Sequence, residues 1–286
     1  MAGKADPFPV MAHMTVKLVR EYLSRKKSII IPVGVTEQHG YHLPLATDAI
    51  IATEIARALG ERTGILVAPT ITTTFSGGGL PGTINISPSV MSLVLSDEII
   101  SLASQGFRNL YILLCHGGSE NALALHNALK LLLRTNPACA EVMIALLPIW
   151  KFGSSEMGWK KALAEGDWHA GWLETSMVMA LAPELVRMQD LELDPKPLLE
   201  LQIRHPDNYQ RAQKVVDDEL VIPRMTQRPD IKVGVMGHPE RASRELGLRI
   251  VEDALEALAA KVTELEGKAD GVYRDVQFTP PPIILS

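Results

Sequence analysis

Residues 36–48 hold two carboxylates and two imidazoles within thirteen positions: Glu37, His39, His42 and Asp48. They follow the apolar run 28–35, which is typical of a buried strand. Open α/β sheets place their chemistry at the carboxyl ends of such strands. Buried charges are costly unless something neutralises them, and carboxylate and imidazole are common ligands of divalent ions. The sequence therefore predicts a bound divalent metal at this strand end.

Three side chains of this stretch are predicted to lie close together: Glu37, His39 and Asp48. Glu37 and His39 are two positions apart, and side chains alternate along an extended segment, so Gln38 between them should point elsewhere. Asp48 is the first residue of a predicted helix capped by Thr47. A carboxylate there has two interpretations: it complements the helix dipole, or it bridges two cations beside Glu37 and His39.

A second cluster follows the apolar run 109–115. His116 lies between that predicted strand and a predicted helix, so in a parallel sheet it reaches the same edge as Glu37. The adjacent Gly117 and Gly118 let the backbone turn sharply and approach a ligand closely.

Two glutamates are further candidates. Glu174 lies in the first turns of a predicted helix, five residues after His169, among apolar neighbours. An unpaired buried carboxylate is costly, which favours a ligand role for Glu174, with a solvated helix face as the alternative. Glu120 falls in the first turn of the helix after His116, where an acidic residue is expected without any function.

Other side chains are assigned weaker roles. His42 is a candidate for orienting a ligand by a hydrogen bond, and His238 for lining a pocket or an oligomer contact. Cys115 is either a thiolate ligand or, as we favour, a small apolar residue at the end of a buried strand. The remaining candidates are predicted to be ordinary surface or core residues: His13, His126 and His205.

Composition narrows the class of protein. The 286-residue chain has 47% hydrophobic and 21% charged residues, as ordinary soluble globular proteins do. A net charge of −5 argues against a nucleic-acid partner, because phosphate binding needs a basic surface. No apolar run approaches the roughly 20 residues of a membrane span, and residues 1–10 lack the order of a secretory signal. The two cysteines make no disulfide framework, so a reducing cytoplasm is predicted.

Alternating strands and helices predict βαβ units around a mainly parallel sheet, in a single α/β domain over residues 1–286. Strands are predicted over 29–35, 65–69, 109–115 and 142–147. Helices are predicted over 48–59 with Gly60 as the stop, from Pro88 after a Ser87 cap, and over 119–134, 170–181 and 240–265. Residues 190–235 are expected to form an irregular excursion over one edge. The core is expected over about 28–265, and a tail over 275–286, with three consecutive prolines, should be extended.

Taken together, the clusters resemble the creatininase (creatinine amidohydrolase) family over roughly residues 28–250. The likeness is carried by Thr36-Glu37-Gln38-His39-Gly40 with His42-Leu43-Pro44-Leu45 and Asp48, by His116-Gly117-Gly118, and by His169-Ala170-Gly171 with Glu174-Thr175-Ser176. This resemblance implies a three-layer α/β/α fold, a homohexamer, and a site for two divalent ions, Zn²⁺ and/or Mn²⁺ with Fe²⁺ as an alternative.

The resemblance also implies roles for single residues. Four match the family's metal ligands, with Asp48 as the bridge between ions: Glu37, His39, Asp48 and His116. His169 matches the catalytic histidine. The creatininases proper have a glutamate two residues after the histidine that matches His116, where this chain has Gly118. Glu174 is therefore predicted as the fifth ligand, with Glu120 as the alternative.

Departures from the family pattern bear on the substrate. Loop 75–80 lacks a histidine found in many members, and Leu114-Cys115 and Ser119 replace family residues around His116. Because that loop is expected to face the substrate, the sequence argues against creatinine itself. Trp150 and Trp159 are either further aromatic walls or, as we favour, packing residues. The predicted substrate contacts are Ser76, Gly117 and Trp168.

The predicted function is hydrolysis of a small, polar, cyclic amide. A hydroxide bridging two metals would attack the carbonyl, and His169 would transfer a proton to the leaving nitrogen. One alternative is hydrolytic C–C ring opening of a cyclic polyol ketone such as a dehydro-inosose. Another is a non-catalytic scaffold with one structural metal, which the carboxylates disfavour because structural zinc sites prefer Cys and His ligands.

Overall fold

A computed structural model describes residues 10–269, and its centre is a sheet of four parallel strands. The strands are β1 (Ser28–Val33), β2 (Leu66–Val67), β3 (Asn109–Leu114) and β4 (Met143–Pro148). Their order across the sheet is β2-β1-β3-β4, with Val33 paired to Leu114 and Leu114 to Pro148. The direction in which strands are added reverses between β1 and β3. At such a switch point the connections diverge and leave a crevice at the carboxyl ends of the strands.

Helices cover the sheet, and a small antiparallel hairpin lies outside it. The helices are α1 (Val16–Leu23), α2 (Thr47–Thr63), α3 (Pro88–Gln105), α4 (Ser119–Thr135), α5 (Gly158–Glu165), α6 (Trp172–Leu181), α7 (Lys196–Arg204) and α8 (Arg244–Lys268). The hairpin pairs β5 (Gln210–Gln213) with β6 (Arg224–Gln227). Most elements lie within a few residues of their predicted positions.

Alternate side chains of the central strands enter two separate hydrophobic cores. Ile30 and Tyr111 pack with residues of α2, α6 and α8 on one face of the sheet. Ile29 and Ile31 pack with residues of α3 and α4 on the other. Because both faces are covered, every residue of β1 is buried, which explains its nearly continuous apolar sequence. The three-layer α/β/α fold class is confirmed.

The prediction for the ends of α2 was wrong. Thr47 does not cap the helix but is its first residue, and its hydroxyl donates to the Pro44 carbonyl at 2.7 Å. The helix also continues through Gly60 and ends at Gly64, whose φ of 65° is the left-handed conformation that glycine adopts easily. Gly60 and Gly64 were both possible ends of the helix in the sequence, and the helix ends at Gly64.

The prediction for residues 190–235 was also wrong, because this segment contains α7 and the β5–β6 hairpin. Its return to the core is fixed by Asp194, whose carboxylate accepts backbone hydrogen bonds from Lys232, Val233 and Gly234 at 2.8–3.2 Å. The segment is an ordered part of the domain. The predicted extended tail over 275–286 lies outside the described residues.

Cys115 is completely buried in the core under the sheet, and burial raises the pKa of its thiol well above the ordinary value. This confirms its interpretation as a small apolar residue at a strand end. Cys139 is likewise a buried free cysteine. Within residues 10–269, no helix is both long and apolar enough to cross a membrane.

Candidate metal centre

The switch point between β1 and β3 brings two of the predicted clusters together. Glu37 and His39 lie in the loop after β1, and His116 follows β3, its neighbour in the sheet. Asp48 is the second residue of α2, so the start of that helix presents its carboxylate to the same point. All four side chains are buried, as is Glu174 from α6.

Glu37, Asp48 and His116 form the first candidate ligand group, with ligand atoms within 4.8 Å of one another. His116 Nδ1 lies 3.2 Å from Glu37 Oε2 and 3.3 Å from Asp48 Oδ2. Ser76 holds the other oxygen of the glutamate, because its hydroxyl donates to Glu37 Oε1 at 2.6 Å.

His39, Asp48 and Glu174 form the second group. His39 Nε2 lies 3.8 Å from Asp48 Oδ2 and 3.7 Å from Glu174 Oε2. The ring is oriented by its other nitrogen, Nδ1, which donates to the Glu37 carbonyl at 3.0 Å and leaves the lone pair on Nε2, facing the two carboxylates. Asp48 belongs to both groups, so its carboxylate lies between them.

The donor set fits divalent cations. Glu37 Oε2, His39 Nε2 and Asp48 Oδ2 are buried, and within residues 10–269 none makes a hydrogen bond of good geometry, although His116 Nδ1 is an ion-pair neighbour of both oxygens. A buried polar atom without a partner costs roughly 1–3 kcal/mol, and more if charged. Carboxylate oxygens and imidazole nitrogens are ligands of Zn²⁺ and Mn²⁺, and such ions would satisfy these atoms together.

Mutual electrostatics set the charges of these groups. Burial alone would raise the pKa of Glu37, but His116 and His169 lower it below its usual range. Burial opposes the charged form of His116, yet Glu37 and Asp48 raise its pKa well above the ordinary value. Burial raises the pKa of Glu174 to about 7, against the opposing effect of His39. In the metal-free protein the raised pKa values of His116 and Glu174 therefore favour their protonated forms, and a bound metal ion would displace these protons.

His169 forms a third group of this kind with Glu37 and His39, and its ring is oriented by Gln38. Its Nε2 donates to the Gln38 carbonyl at 2.7 Å, and the Gln38 side-chain nitrogen lies 3.0 Å from the same atom. The imidazole stacks against that of His39, with ring centroids 4.2 Å apart. Burial and His39 lower the pKa of His169 to about 4, so the ring is neutral at neutral pH. The expectation that Gln38 points elsewhere was wrong.

The backbone after His169 adopts a rare conformation. Ala170 has a φ of 51°, which is uncommon for a residue with a Cβ, and its N–H donates to Glu174 Oε2 at 2.7 Å. Helix α6 consequently starts at Trp172 rather than at Ala170 as predicted. This turn is what directs Glu174 toward His39.

Asp167 organises the same turn and was not identified from the sequence. Its carboxylate accepts backbone hydrogen bonds from Trp172, Leu173 and His238 at 2.9–3.2 Å. A Cβ at Gly171 would lie 2.0 Å from Asp167 Oδ2, so only glycine fits there without a shift. The Asp-X-X-X-Gly spacing before the helix was the available signal.

A cavity of about 360 Å³ opens onto this centre. Glu37, His116, His169 and Glu174 line its inner end. Residues of the segment 196–228 close it from outside, among them Gln202, Tyr209 and Gln227. The aromatic wall is formed by three tryptophans: Trp150, Trp159 and Trp168.

All three predicted substrate contacts, Ser76, Gly117 and Trp168, line the cavity. The hydroxyl of Ser76 is committed to Glu37, however, which suits a role in orienting that carboxylate. Trp159 belongs to the core as well as to the cavity wall, so packing and lining are combined in one side chain.

The glycine loop 77–79 is packed against the outer segment rather than wholly open to the cavity. A Cβ at Gly77 would lie 2.5 Å from the Tyr209 hydroxyl. The N–H of Gly79 donates to the side-chain oxygen of Gln227. The glycines therefore let the loop and the hairpin approach each other closely.

Glu174, not Glu120, joins the candidate ligand groups found within residues 10–269. Glu120 is exposed and lines the cavity. A Cβ at Gly118 would lie 2.6 Å from His116 Nε2, so a glutamate at the usual family position would displace His116. Position 118 therefore has no room for a glutamate while His116 keeps its place, and Glu174 is the glutamate that joins the candidate ligand groups instead.

The remaining histidines lie outside the centre. The interpretation of His42 as an orienting residue was wrong, because its Nε2 hydrogen-bonds to Thr175 Oγ1 at 2.9 Å and not to a candidate ligand. His238 is not among the described residues that line the cavity, and its Nδ1 lies 3.2 Å from Glu240 Oε1. Three histidines predicted to be ordinary surface or core residues are all exposed: His13, His126 and His205.

Fold and site together define a class, the α/β proteins with a buried carboxylate–imidazole centre suited to two divalent ions. Comparison with known proteins then gives the family. The sequence model of the creatininase family, described as creatinine amidohydrolase, matches residues 12–262. The chain belongs to the creatininase family and is a metal-dependent hydrolase of that family.

Three relatives show the range of activities named within this similarity. The chain is 28% identical over 250 residues to creatinine amidohydrolase of Pseudomonas putida, covering 82% of this chain and 88% of that protein. It is 27% identical over 263 residues to the mycofactocin precursor peptide peptidase of Mycolicibacterium smegmatis, covering 88% and 91%. It is 28% identical over 193 residues to the 3-dehydro-scyllo-inosose hydrolase of Thermotoga maritima, covering 64% and 59%.

Solved creatininase structures share the fold. A manganese creatininase matches with a TM-score of 0.70 at 24% identity, covering 90% of this chain and 98% of that one. A mutant creatininase of Zn-Zn type matches with a TM-score of 0.66 at 24% identity, covering 91% and 98%.

Proposed function

We propose that this protein is a two-metal amidohydrolase that cleaves a C–N bond in a small, polar, cyclic substrate. The observation that carries the proposal is the pair of buried ligand groups that share Asp48 and open onto one cavity. Glu37, Asp48 and His116 would hold one ion, and His39, Asp48 and Glu174 the other. Bound ions supply two effects, polarisation of the attacked carbonyl and a lowered pKa of water.

The ions are proposed to be Zn²⁺ or Mn²⁺. Two imidazoles and three carboxylates suit these borderline cations better than copper or an iron–sulfur centre. Solved creatininases described as manganese and Zn-Zn forms support the same choice.

His169 is proposed as the general acid–base residue. Its low pKa of about 4 keeps the ring neutral, and because Nε2–H is donated to the Gln38 carbonyl, the lone pair lies on Nδ1. The ring can accept a proton during attack and pass it to the leaving nitrogen. Such transfer contributes typically 10²–10⁴-fold to a rate.

The size of the cavity and the relatives support an amide substrate. A volume of about 360 Å³ suits a small molecule, and two of the three relatives described above are named for amide or peptide hydrolysis. Ring opening of a cyclic polyol ketone is the second candidate, favoured by the similarity to 3-dehydro-scyllo-inosose hydrolase. Ser76, Gly117 and Trp168 are proposed to border the bound substrate.

The test is metal reconstitution followed by a substrate screen. Metal-stripped protein is loaded with Zn²⁺ or Mn²⁺, the ions are counted by mass spectrometry, and turnover of cyclic amides and inososes is measured. We expect two ions per chain and hydrolysis of at least one cyclic amide. A single tightly held ion would contradict the two-metal proposal, and turnover of inososes alone would favour the C–C reaction.

We also propose that the protein acts in the cytoplasm as a homohexamer. The two free, buried cysteines suit a reducing compartment. Large apolar side chains exposed on the single chain suit burial between subunits.

A further inference from the structure

The outer wall of the cavity contains a buried amide that makes no hydrogen bond within the protein. Gln202, on α7, lines the cavity and is 0% exposed. Neither its Oε1 nor its Nε2 has a hydrogen-bond partner among residues 10–269. In that same part of the chain the indole N–H of Trp159, also in the cavity wall, is unpartnered. Since most buried polar side-chain atoms are hydrogen-bonded, these three atoms require an explanation.

The position of Gln202 is fixed by backbone contacts of the next residue in α7, Ile203, and does not depend on the Gln202 side chain. The indole N–H of Trp168 donates to the Ile203 carbonyl at 2.8 Å, which ties α7 to the segment carrying His169. A Cβ at Gly166 would lie 2.5 Å from the same carbonyl, so the two segments are in close contact. Gln202 is therefore held at a set place relative to His169, with its amide uncommitted.

The uncommitted atoms match a neutral amide ligand. A carboxamide offers a donor and an acceptor in one plane, which pair with the carbonyl and N–H of another amide. The aromatic faces of Trp150 and Trp168 suit a flat ring beside it. No lysine or arginine is among the described residues lining the cavity, so away from the metal centre a carboxylate would find no cationic side chain there.

We propose that Gln202 is a specificity-determining residue that selects substrates with a neutral, planar amide edge. Its Nε2–H pairs with the substrate carbonyl and its Oε1 with the adjacent N–H. The inference rests on the proposed function and deepens it, because it names the group that is recognised. A cyclic polyol ketone has no N–H beside its carbonyl, and its hydroxyl donors stand on sp³ carbons rather than on a planar amide edge, so it matches the carboxamide less well.

The test measures binding of defined probes by calorimetry to the zinc-loaded and the metal-free protein. The probes are hydantoin, its 1,3-dimethyl derivative, which lacks N–H, and myo-inositol. Gln202→Met removes the amide at nearly constant shape, and Gln202→Glu keeps the acceptor but not the donor. Gln105→Met is the matched control, since Gln105 is exposed at the end of α3 and does not line the cavity.

We expect wild type and Gln105→Met to bind hydantoin equally, and both Gln202 variants to bind it about tenfold more weakly, as loss of one or two hydrogen bonds implies. Dimethylhydantoin keeps the carbonyl but lacks the N–H, so it should bind wild type more weakly than hydantoin does and should lose less affinity than hydantoin in Gln202→Met. Unchanged hydantoin binding by Gln202→Met, absence of hydantoin binding by wild type, or a lower melting temperature of Gln202→Met would each overturn the proposal. Ion counts on the same samples test the two-metal proposal separately.

Discussion

At the scale of single residues, both candidate ion sites depend on Asp48. Its carboxylate belongs to each ligand group, and Oδ2 lies 3.3 Å from His116 Nδ1 and 3.8 Å from His39 Nε2. We expect Asp48→Asn, which keeps the shape but removes the charge, to reduce bound metal from two ions to fewer than one per chain. Mass spectrometry of the purified variant measures this. Two retained ions would show that Asp48 is not the bridge.

His169→Ala should keep its metal and lose activity, whereas Asp48→Asn should lose its metal. His169 is oriented by Gln38 and lies beside the ligand groups that share Asp48, so its removal should leave two ions bound. Turnover should fall by roughly 10²–10⁴-fold, the usual contribution of a general acid–base group. Metal analysis and rate measurements on the same preparation check the pair of outcomes. Loss of metal in this variant would make His169 a ligand instead.

Protons and metal ions compete for the same atoms. Burial raises the pKa of Glu174 to about 7, and Asp48 and Glu174 raise that of His39 despite the opposing effect of burial. Glu174 thus holds a proton on part of the metal-free protein near neutral pH, the raised pKa of His39 favours its charged form, and both groups would have to lose these protons to bind an ion. Zinc affinity should therefore increase between about pH 6 and 8, with proton release. Calorimetry in buffers of different ionisation enthalpy measures both, and a pH-independent affinity would contradict the assignment.

Single residues also show what the sequence could and could not predict about the site. Glu37, His39 and His116 follow strands, and in a parallel sheet the ends of neighbouring strands share one edge, so sequence order alone predicts that they meet. Gln38 and Asp167 were missed because each has a backbone partner far away in sequence, Gly234 for Gln38 and His238 for Asp167. Alternation along a strand does not apply to Gln38, which lies in a loop after β1 has ended.

At the scale of elements, the turn that begins α6 orients Glu174 toward the candidate metal centre. A Cβ at Gly171 would lie 2.0 Å from Asp167 Oδ2, which accepts hydrogen bonds from the first turn of the helix. Gly171→Ala should therefore destabilise the fold by about 2–4 kcal/mol and weaken metal binding. Thermal melts and zinc titrations measure the two effects.

The matched control for that variant is Gly267→Ala. Gly267 lies within α8, and a Cβ there has no neighbour within 4 Å. Alanine should stabilise the helix by up to about 1 kcal/mol. Equal melting temperatures for both variants would show that the contact with Asp167 is not what requires glycine.

Elements differ in how well local sequence defines them. The strands and the helices α3 and α4 were predicted within about two residues, because buried apolar runs and helical spacing are strong signals. Helix α7 and the β5–β6 hairpin were missed, since β5 is a polar strand, Gln-Arg-Ala-Gln, with no alternating pattern. Its order comes from contacts with the rest of the domain, which local sequence does not encode.

At the scale of the whole molecule, the order β2-β1-β3-β4 is what creates the site. Helix α2 packs on one face of the sheet and α3 and α4 on the other, so the crevice at the end of β1 and β3 is left uncovered by either layer. Segment 196–228, which departs most from prediction, supplies the outer wall of this crevice. The regular sheet thus positions the candidate ligands, and the part of the fold that sequence patterns describe least lines the cavity above them.

Assembly is a property of the whole molecule, and the β5–β6 hairpin offers a surface for it. The tip of the β5–β6 hairpin exposes large apolar side chains within eight positions: Val215, Val216, Leu220 and Ile222. Single exposed aliphatic residues are ordinary, but a patch of this kind suits a subunit contact.

We expect a solution mass about six times the 31.3 kDa of one chain, measured by analytical ultracentrifugation. The double variant Val216→Glu, Ile222→Glu should sediment as smaller species with unchanged circular dichroism, whereas Asp217→Asn in the same loop should not. A wild-type protein that sediments as a single chain would refute the homohexamer.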